Sequence, residues 1–230
     1  ENCLDLPPKV YMKRMLQMST EQMEVYNQLR KYARAVIMDK EISYTNKLTE
    51  ILRLHQVTSG FYKTDDGQTK TLKNPKITEL CNIIDETEGK IIIWANYLHN
   101  IHEILETLKK KFPEDRAVSI YGAVSVLDRD KAVVDFQTDK YTRFMVGNPA
   151  TGGLGLNLTA ATTVIYFSNS YDLTLREQSE DRAHRKGQTK SVTYIDLIMQ
   201  GTIDEFIIRA LNKKKSMSAQ VLGEEVLKFL

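Results

Sequence analysis

The chain is short of the residues that mark several protein classes. It has two cysteines, Cys3 and Cys81, in 230 residues. Thiols so far apart make no metal-type cluster and read as reduced, intracellular side chains. No apolar run approaches the length of a membrane span, which excludes a spanning helix on sequence grounds. Neither charge sign dominates: 32 basic against 30 acidic residues leave a net charge of +2. That balance excludes a wholesale nucleic-acid binder, so any basic surface must be local. No G-x-x-x-x-G-K-[ST] phosphate loop occurs. Glu1 is not a start methionine and no signal-peptide pattern follows it, so a fragment or a processed product is expected. What remains is a chain with a 42% hydrophobic fraction, normal for a folded domain, long enough for one large or two small domains.

The pattern changes along the chain. Residues 1–73 read as a helical unit. Leu6-Pro7-Pro8-Lys9 is an extended, helix-breaking opening, and Val10 to Met18 alternates weakly as a strand. Ser19 with Gln22 forms a capping box ahead of Met23, Tyr26, Ala33 and Ile37 at helical spacing. A second helix runs through Leu48, Ile51, Leu52 and Val57, and Asp65-Asp66-Gly67 marks a turn. From Asn74 to about residue 200, helices and strands alternate. Helices begin at Pro75, Leu98 and Leu127. Lys90–Trp94, Ala117–Tyr121, Arg143–Val146, Thr163–Phe167 and Ser191–Ile198 read as strands. A helix spans Leu175–Arg185. This alternation predicts an α/β fold with a parallel sheet covered on both faces, whose ligands bind at the carboxyl ends of the strands. Residues 201–230 read as two helices with Lys213-Lys214-Lys215 between them.

Two motifs carry chemistry. Thr151-Gly152-Gly153-Leu154-Gly155-Leu156-Asn157 follows a strand closely, and glycines let backbone approach a ligand. Leu158 at the third-glycine position excludes a dinucleotide fingerprint, and an ordinary loop explains the turn alone equally well. In Gln178-Ser179-Glu180-Asp181-Arg182-Ala183-His184-Arg185-Lys186-Gly187-Gln188, two arginines three apart would share a helix face. Together they can clamp a phosphate through forked, charge-assisted bonds. Pairing of Arg176, Arg182 and Arg185 with Glu177, Glu180 and Asp181 is the plainer explanation, but the helix follows a parallel strand and ends at once at Gly187. Ile83-Ile84-Asp85-Glu86 ends a helical pattern, so it is no magnesium-binding strand end. Asp204-Glu205 suits a helix dipole. His55, His99, His102 and His184 lack metal spacing, so no metal site is assigned. Trp94 ends a strand and reads as packing.

The segment Gln178–Gln188 resembles motif VI of the Swi/Snf-type helicase-like ATPases of superfamily two. Gly152 to Thr159 resembles motif V, and Ile91-Ile92-Ile93-Trp94-Ala95-Asn96-Tyr97 resembles motif IV. Ile120-Tyr121-Gly122 with Arg129 and Phe136, Leu6-Pro7-Pro8-Lys9, Leu52–Gln56 and Gly201–Glu205 fit other landmarks. Where the family often has a Ser/Thr-Arg-Ala approach to the glycines, this chain has Asn148-Pro149-Ala150-Thr151; Lys186 replaces an apolar residue. The resemblance implies a RecA-like three-layer α/β/α lobe at 74–200, preceded by a hinge segment at 1–73 and followed by brace helices at 201–230. It implies that Arg182 and Arg185 are arginine fingers and that Gly155, Asn157 and Gln178 lie near the nucleotide and the lobe interface. It places Asn96, Tyr97, Gly122 and Thr151 at the sugar-phosphate backbone of double-stranded DNA. ATP and Mg2+ would be held mainly by an amino-terminal lobe, the other expected partner, so this monomeric lobe alone would not hydrolyse ATP. A compact lobe suggests a bacterial or phage source and a cytoplasmic protein, or a nuclear one if eukaryotic. The second lobe of another superfamily-two motor, such as an RNA helicase, and a non-catalytic binding platform are the alternatives.

Overall fold

The computed structural model describes residues 6–39, 44–64, 66–151 and 155–212. Cys3, Asp65, Gly152, Gly153, Leu154, the lysines at 213–215 and the second carboxy-terminal helix expected from sequence lie outside the described residues. The chain forms two compact units, one centred on residues 79–170 and 174–197 with the leading residues up to 14, the other on 15–78, 171–173 and 198 onward.

The first unit is built on a sheet. Its strands are β1 (Lys9–Leu16), β4 (Lys90–Trp94), β5 (Arg116–Ile120), β6 (Thr142–Gly147), β7 (Ala161–Tyr166) and β8 (Val192–Met199), in the order β1-β8-β7-β4-β6-β5. The pairs from β8 through to β5 are all parallel. The central strand β4 is the purest apolar run, and Ile91, Ile92, Ile93 and Trp94 are fully buried. A strand buried on both faces needs such a run rather than alternation. Helix α3 (Pro75–Glu86) leads into β4, and α4 (Leu98–Lys111), α5 (Val126–Thr138) and α6 (Leu173–Glu180) form crossovers between parallel strands. Ser125 caps α5, its hydroxyl accepting from Asp128 N at 3.2 Å. Ile101, Ile104 and Leu108 of α4, with Ala132 and Phe136 of α5, point inward. At the carboxyl end of β6 only glycine fits: a Cβ on Gly147 would lie 2.3 Å from the Ile120 carbonyl oxygen. This is the expected α/β architecture. One strand is placed differently from the sequence expectation, because β1, assigned there to a helical segment, is an edge strand of this sheet beside β8.

The second unit is mostly helical. Helix α1 (Thr20–Met38) starts at Ser19, whose hydroxyl accepts from Gln22 N while the Gln22 side chain accepts from Ser19 N. Helix α2 (Tyr44–Thr58), a hairpin of β2 (Phe61–Lys63) and β3 (Thr69–Thr71), and α7 (Ile203–Asn212) complete it. Tyr26, Ala33, Ile37, Leu54, Ile203 and Ile207 share its core. A charged cluster sits inside. The Asp204 carboxylate accepts from Lys76 Nζ at 2.6 Å, Thr58 Oγ1 at 2.6 Å and Met199 N at 3.1 Å, with His55 Nε2 3.9 Å away. Burial drives the His55 imidazole down to about 4. Burial also disfavours the Asp204 carboxylate, but Lys76, His55 and Thr58 outweigh it and hold its pKa below the ordinary range. Asp204 is thus more than an acidic residue suited to a helix start.

Candidate functional site

The carboxyl ends of the parallel strands carry the expected residues. Asn96 and Tyr97 follow β4, Gly122 follows β5, Thr151, Gly155 and Asn157 follow β6, and α6 with the turn after it follows β7. Bonds between side chains and backbone hold the loops in place. Asn96 N donates to Ser168 Oγ at 2.9 Å, and Asn148 Nδ2 donates to Asn96 O at 2.9 Å. Tyr97 caps α4, its carbonyl accepting from Ile101 N. Gly122 is exposed, and its carbonyl accepts from Arg129 Nη2 at 3.0 Å. Gly155 adopts a φ of +104°, which an L side chain rarely takes. Asn157 is exposed and its Oδ1 accepts from Thr159 N at 3.3 Å.

The arginines do not lie on a helix, contrary to the reading of Leu175–Arg185. Helix α6 ends at Glu180, and Arg182 and Arg185 sit in the turns that follow. The Glu180 carbonyl accepts from Ala183 N, His184 N and Tyr194 Oη, and Leu158 N takes the Arg182 carbonyl. The first two are local turn bonds; the tertiary bonds from Tyr194 and Leu158 draw the chain out of the helical path. The two guanidiniums nevertheless converge on one loop. Arg182 Nη2 donates to Pro149 O at 3.0 Å and Nη1 to Thr151 O at 3.4 Å. Arg185 Nη1 donates to Gly155 O at 2.9 Å and Leu156 O at 3.3 Å. Arg182 is buried, 5.2 Å from the Trp94 ring, and desolvation lowers its pKa. Gln178 is exposed on α6, and among the described residues no hydrogen bond joins it to either arginine.

Sequence reading missed what fixes this turn. Arg176 is buried and donates to Glu180 Oε1 at 2.8 Å, Asp196 Oδ1 at 2.6 Å and Asn169 Oδ1 at 2.5 Å, 3.6 Å above the Tyr166 ring. Burial works against its charge, but Tyr166, Asp196 and Glu180 outweigh it and raise its pKa. The intrahelical pairing considered for the arginines therefore holds for Arg176 with Glu180. The signal was Asp196, a carboxylate inside the apolar run of β8, which demands a cation. Gln188 is the other fastener: its Nε2 donates to the Thr159, Ala161 and Ala183 carbonyls, each at 3.1 Å.

The family model of the helicase conserved C-terminal domain matches residues 75–187, the span that holds every one of these loops. Chromatin-remodeling ATPase INO80 of Mycosarcoma maydis is 44% identical over 102 residues, 44% of this chain and 5% of that protein. The chain belongs to the Swi/Snf-type helicase-like ATPases, as their carboxy-terminal RecA-like lobe. A putative ATP-dependent helicase/translocase of Bacillus subtilis, YwqA, is 30% identical over 237 residues, covering 98% of this chain. The chain spans 25% of the length of that relative. Among solved structures, the Sulfolobus solfataricus SWI2/SNF2 ATPase core in complex with dsDNA superposes with a TM-score of 0.76 at 25% identity, covering 98% of this chain and 48% of that one. No helix among the described residues is long and apolar enough to cross a membrane.

Proposed function

We propose that this lobe supplies Arg182 and Arg185 as arginine fingers to ATP held by a preceding RecA-like lobe, in a motor that translocates along double-stranded DNA. One observation carries the reading. Both guanidiniums rest on neutral carbonyl oxygens of the loop after β6, whereas the nearby Arg176 is neutralised by two carboxylates. Arginine keeps its charge and presents a rigid fork, which suits the charge that develops on a γ-phosphoryl group in flight. The hydrogen bonds to carbonyls are exchangeable for stronger ones to phosphate oxygens. Gly155 and Asn157 then face the nucleotide and the lobe interface, with Gln178 on the same interface.

The residues here do not fit a complete ATP·Mg2+ site. The chain has no phosphate loop, and among the described residues no group of three or more His, Cys, Asp or Glu side chains is arranged to hold a metal ion. Magnesium and most of the nucleotide therefore fall to the preceding lobe, and this lobe alone does not turn over ATP. Asn96, Tyr97, Gly122 and Thr151 lie in loops at the carboxyl edge of the sheet and meet the DNA sugar-phosphate backbone. Support for duplex DNA comes from the Sulfolobus relative, which was solved bound to it. The protein works wherever its DNA is, in the cytoplasm of a bacterium or the nucleus of a eukaryote. ATPase assays of the intact protein with double-stranded DNA, single-stranded DNA and RNA test the proposal. Strongest stimulation by duplex DNA is expected; stimulation by RNA alone, or by no nucleic acid, overturns it.

A further inference from the structure

The turn that carries the arginines is tied to the very start of the described chain. His184 Nε2 lies 2.6 Å from Pro7 O, and a carbonyl only accepts, so the ring nitrogen donates. Two residues on, Lys9 Nζ donates to Glu180 Oε2 at 3.2 Å and to Asp181 Oδ1 at 3.1 Å. Tyr11 Oη donates to the same Glu180 Oε2 at 2.8 Å, and its ring stacks on Tyr194 at 5.4 Å. Tyr194 in turn donates to the Glu180 carbonyl at 2.9 Å, which also accepts from Ala183 N and His184 N. The segment Pro7–Tyr11 thus grips both ends of the stretch Glu180–His184, with Arg182 in its middle. Lys9 is only 24% exposed and the Glu180 side chain 8%, so the Lys9–Glu180 pair is largely shielded from water and stronger than a surface pair, whereas the bond to Asp181, 64% exposed, is a weaker surface contact.

We infer that Pro7–Tyr11 is a latch, with Lys9 and Tyr11 positioning residues that hold the Arg182 turn and pass to it any movement of the chain before Leu6. The inference rests on the finger reading above, in which a preceding lobe holds the ATP, and adds that the preceding lobe moves as the motor steps. Extended backbone with two adjacent prolines is stiff, and a stiff connector transmits displacement where a flexible one absorbs it. The latch keeps Glu180 doubly held: Arg176 occupies Oε1 from inside and Lys9 with Tyr11 occupy Oε2. The finger turn therefore sits between a fixed anchor and a movable one.

The test uses the intact protein with its preceding lobe, carrying Lys9→Met and Tyr11→Phe together. Amide hydrogen exchange at Ala183 and His184 should speed up by about tenfold or more, as expected when charge-assisted bonds are lost, while β4 amides stay protected. At saturating duplex DNA, kcat for ATP should fall by about tenfold with KM for ATP unchanged, and Lys9→Arg alone should retain wild-type turnover. Unchanged exchange at Ala183 and His184 overturns the latch. Faster exchange with wild-type kcat overturns its role in positioning the fingers. A wild-type protein without DNA-stimulated ATPase would instead strike the finger reading, and the exchange measurement still decides the latch.

Discussion

Arg176 and the pair Arg182 and Arg185 lie within ten residues of one another, yet the fold treats them in opposite ways. Arg176 is buried against Glu180 and Asp196, charge on charge, with Tyr166 beneath it. Among the described residues, Arg182 and Arg185 donate only to carbonyls of the loop after β6. A neutralised arginine is fastened and has no field left to offer. One that rests on carbonyls keeps a positive charge that, on the proposed function, is there for a ligand that brings an anion. On that proposal the difference separates an arginine that builds the site from arginines that the site presents, which sequence spacing alone does not do.

The comparison breaks most visibly at Arg176. Replacing it with methionine leaves Asp196 buried without its cation and should cost about 3–5 kcal/mol in a urea unfolding curve. A loss below about 1 kcal/mol would mean the cluster is not what fixes α6. The charged cluster of the second unit gives a pH version of the same contrast. His55 is held near 4 in the fold, below its ordinary value of about 6.5. The unfolded chain then takes up a proton that the folded chain refuses. Stability is therefore full above about pH 6.5, falls as the pH drops toward 4, and loses about 3 kcal/mol across that window. The depressed carboxylate of Asp204 adds a further loss at lower pH, with the same sign. Unfolding curves between pH 7 and pH 4 should show this slope, and His55→Leu should flatten it. Gln188→Ala deprives three carbonyls of their donor and should cost about 1–3 kcal/mol, read as a lowered melting temperature. The smallest change is expected at Arg185→Ala, within about 0.5 kcal/mol of the parent, because its side chain is partly exposed and, among the described residues, pairs with no carboxylate.

Much of the fold was legible because its signals are local. The run Lys90–Trp94 became β4 with the expected ends, and Ser19 with Gln22 formed the expected capping box. What was not legible depends on partners distant in sequence. Nothing between Leu175 and Arg185 announces a helix stop at Glu180, since the bonds that end it come from Tyr194 and Leu158. The weak alternation of Val10–Met18 showed a strand but not its place at the edge of the main sheet. Asp204 looked like a dipole partner because Lys76 and His55 are far away in the chain. At the site, residue types and order were readable from the motifs. The carbonyl resting places of Arg182 and Arg185 were not, because they depend on how the loop after β6 folds back.

The central claim is that Arg185 is held in reserve for phosphate chemistry. Its most direct test is single-turnover ATP hydrolysis by the intact protein carrying Arg185→Ala, at saturating ATP and duplex DNA, beside its unfolding midpoint. The account predicts a rate lower by about a thousandfold with the midpoint unmoved. A rate within about tenfold of the parent, at an unmoved midpoint, would contradict it.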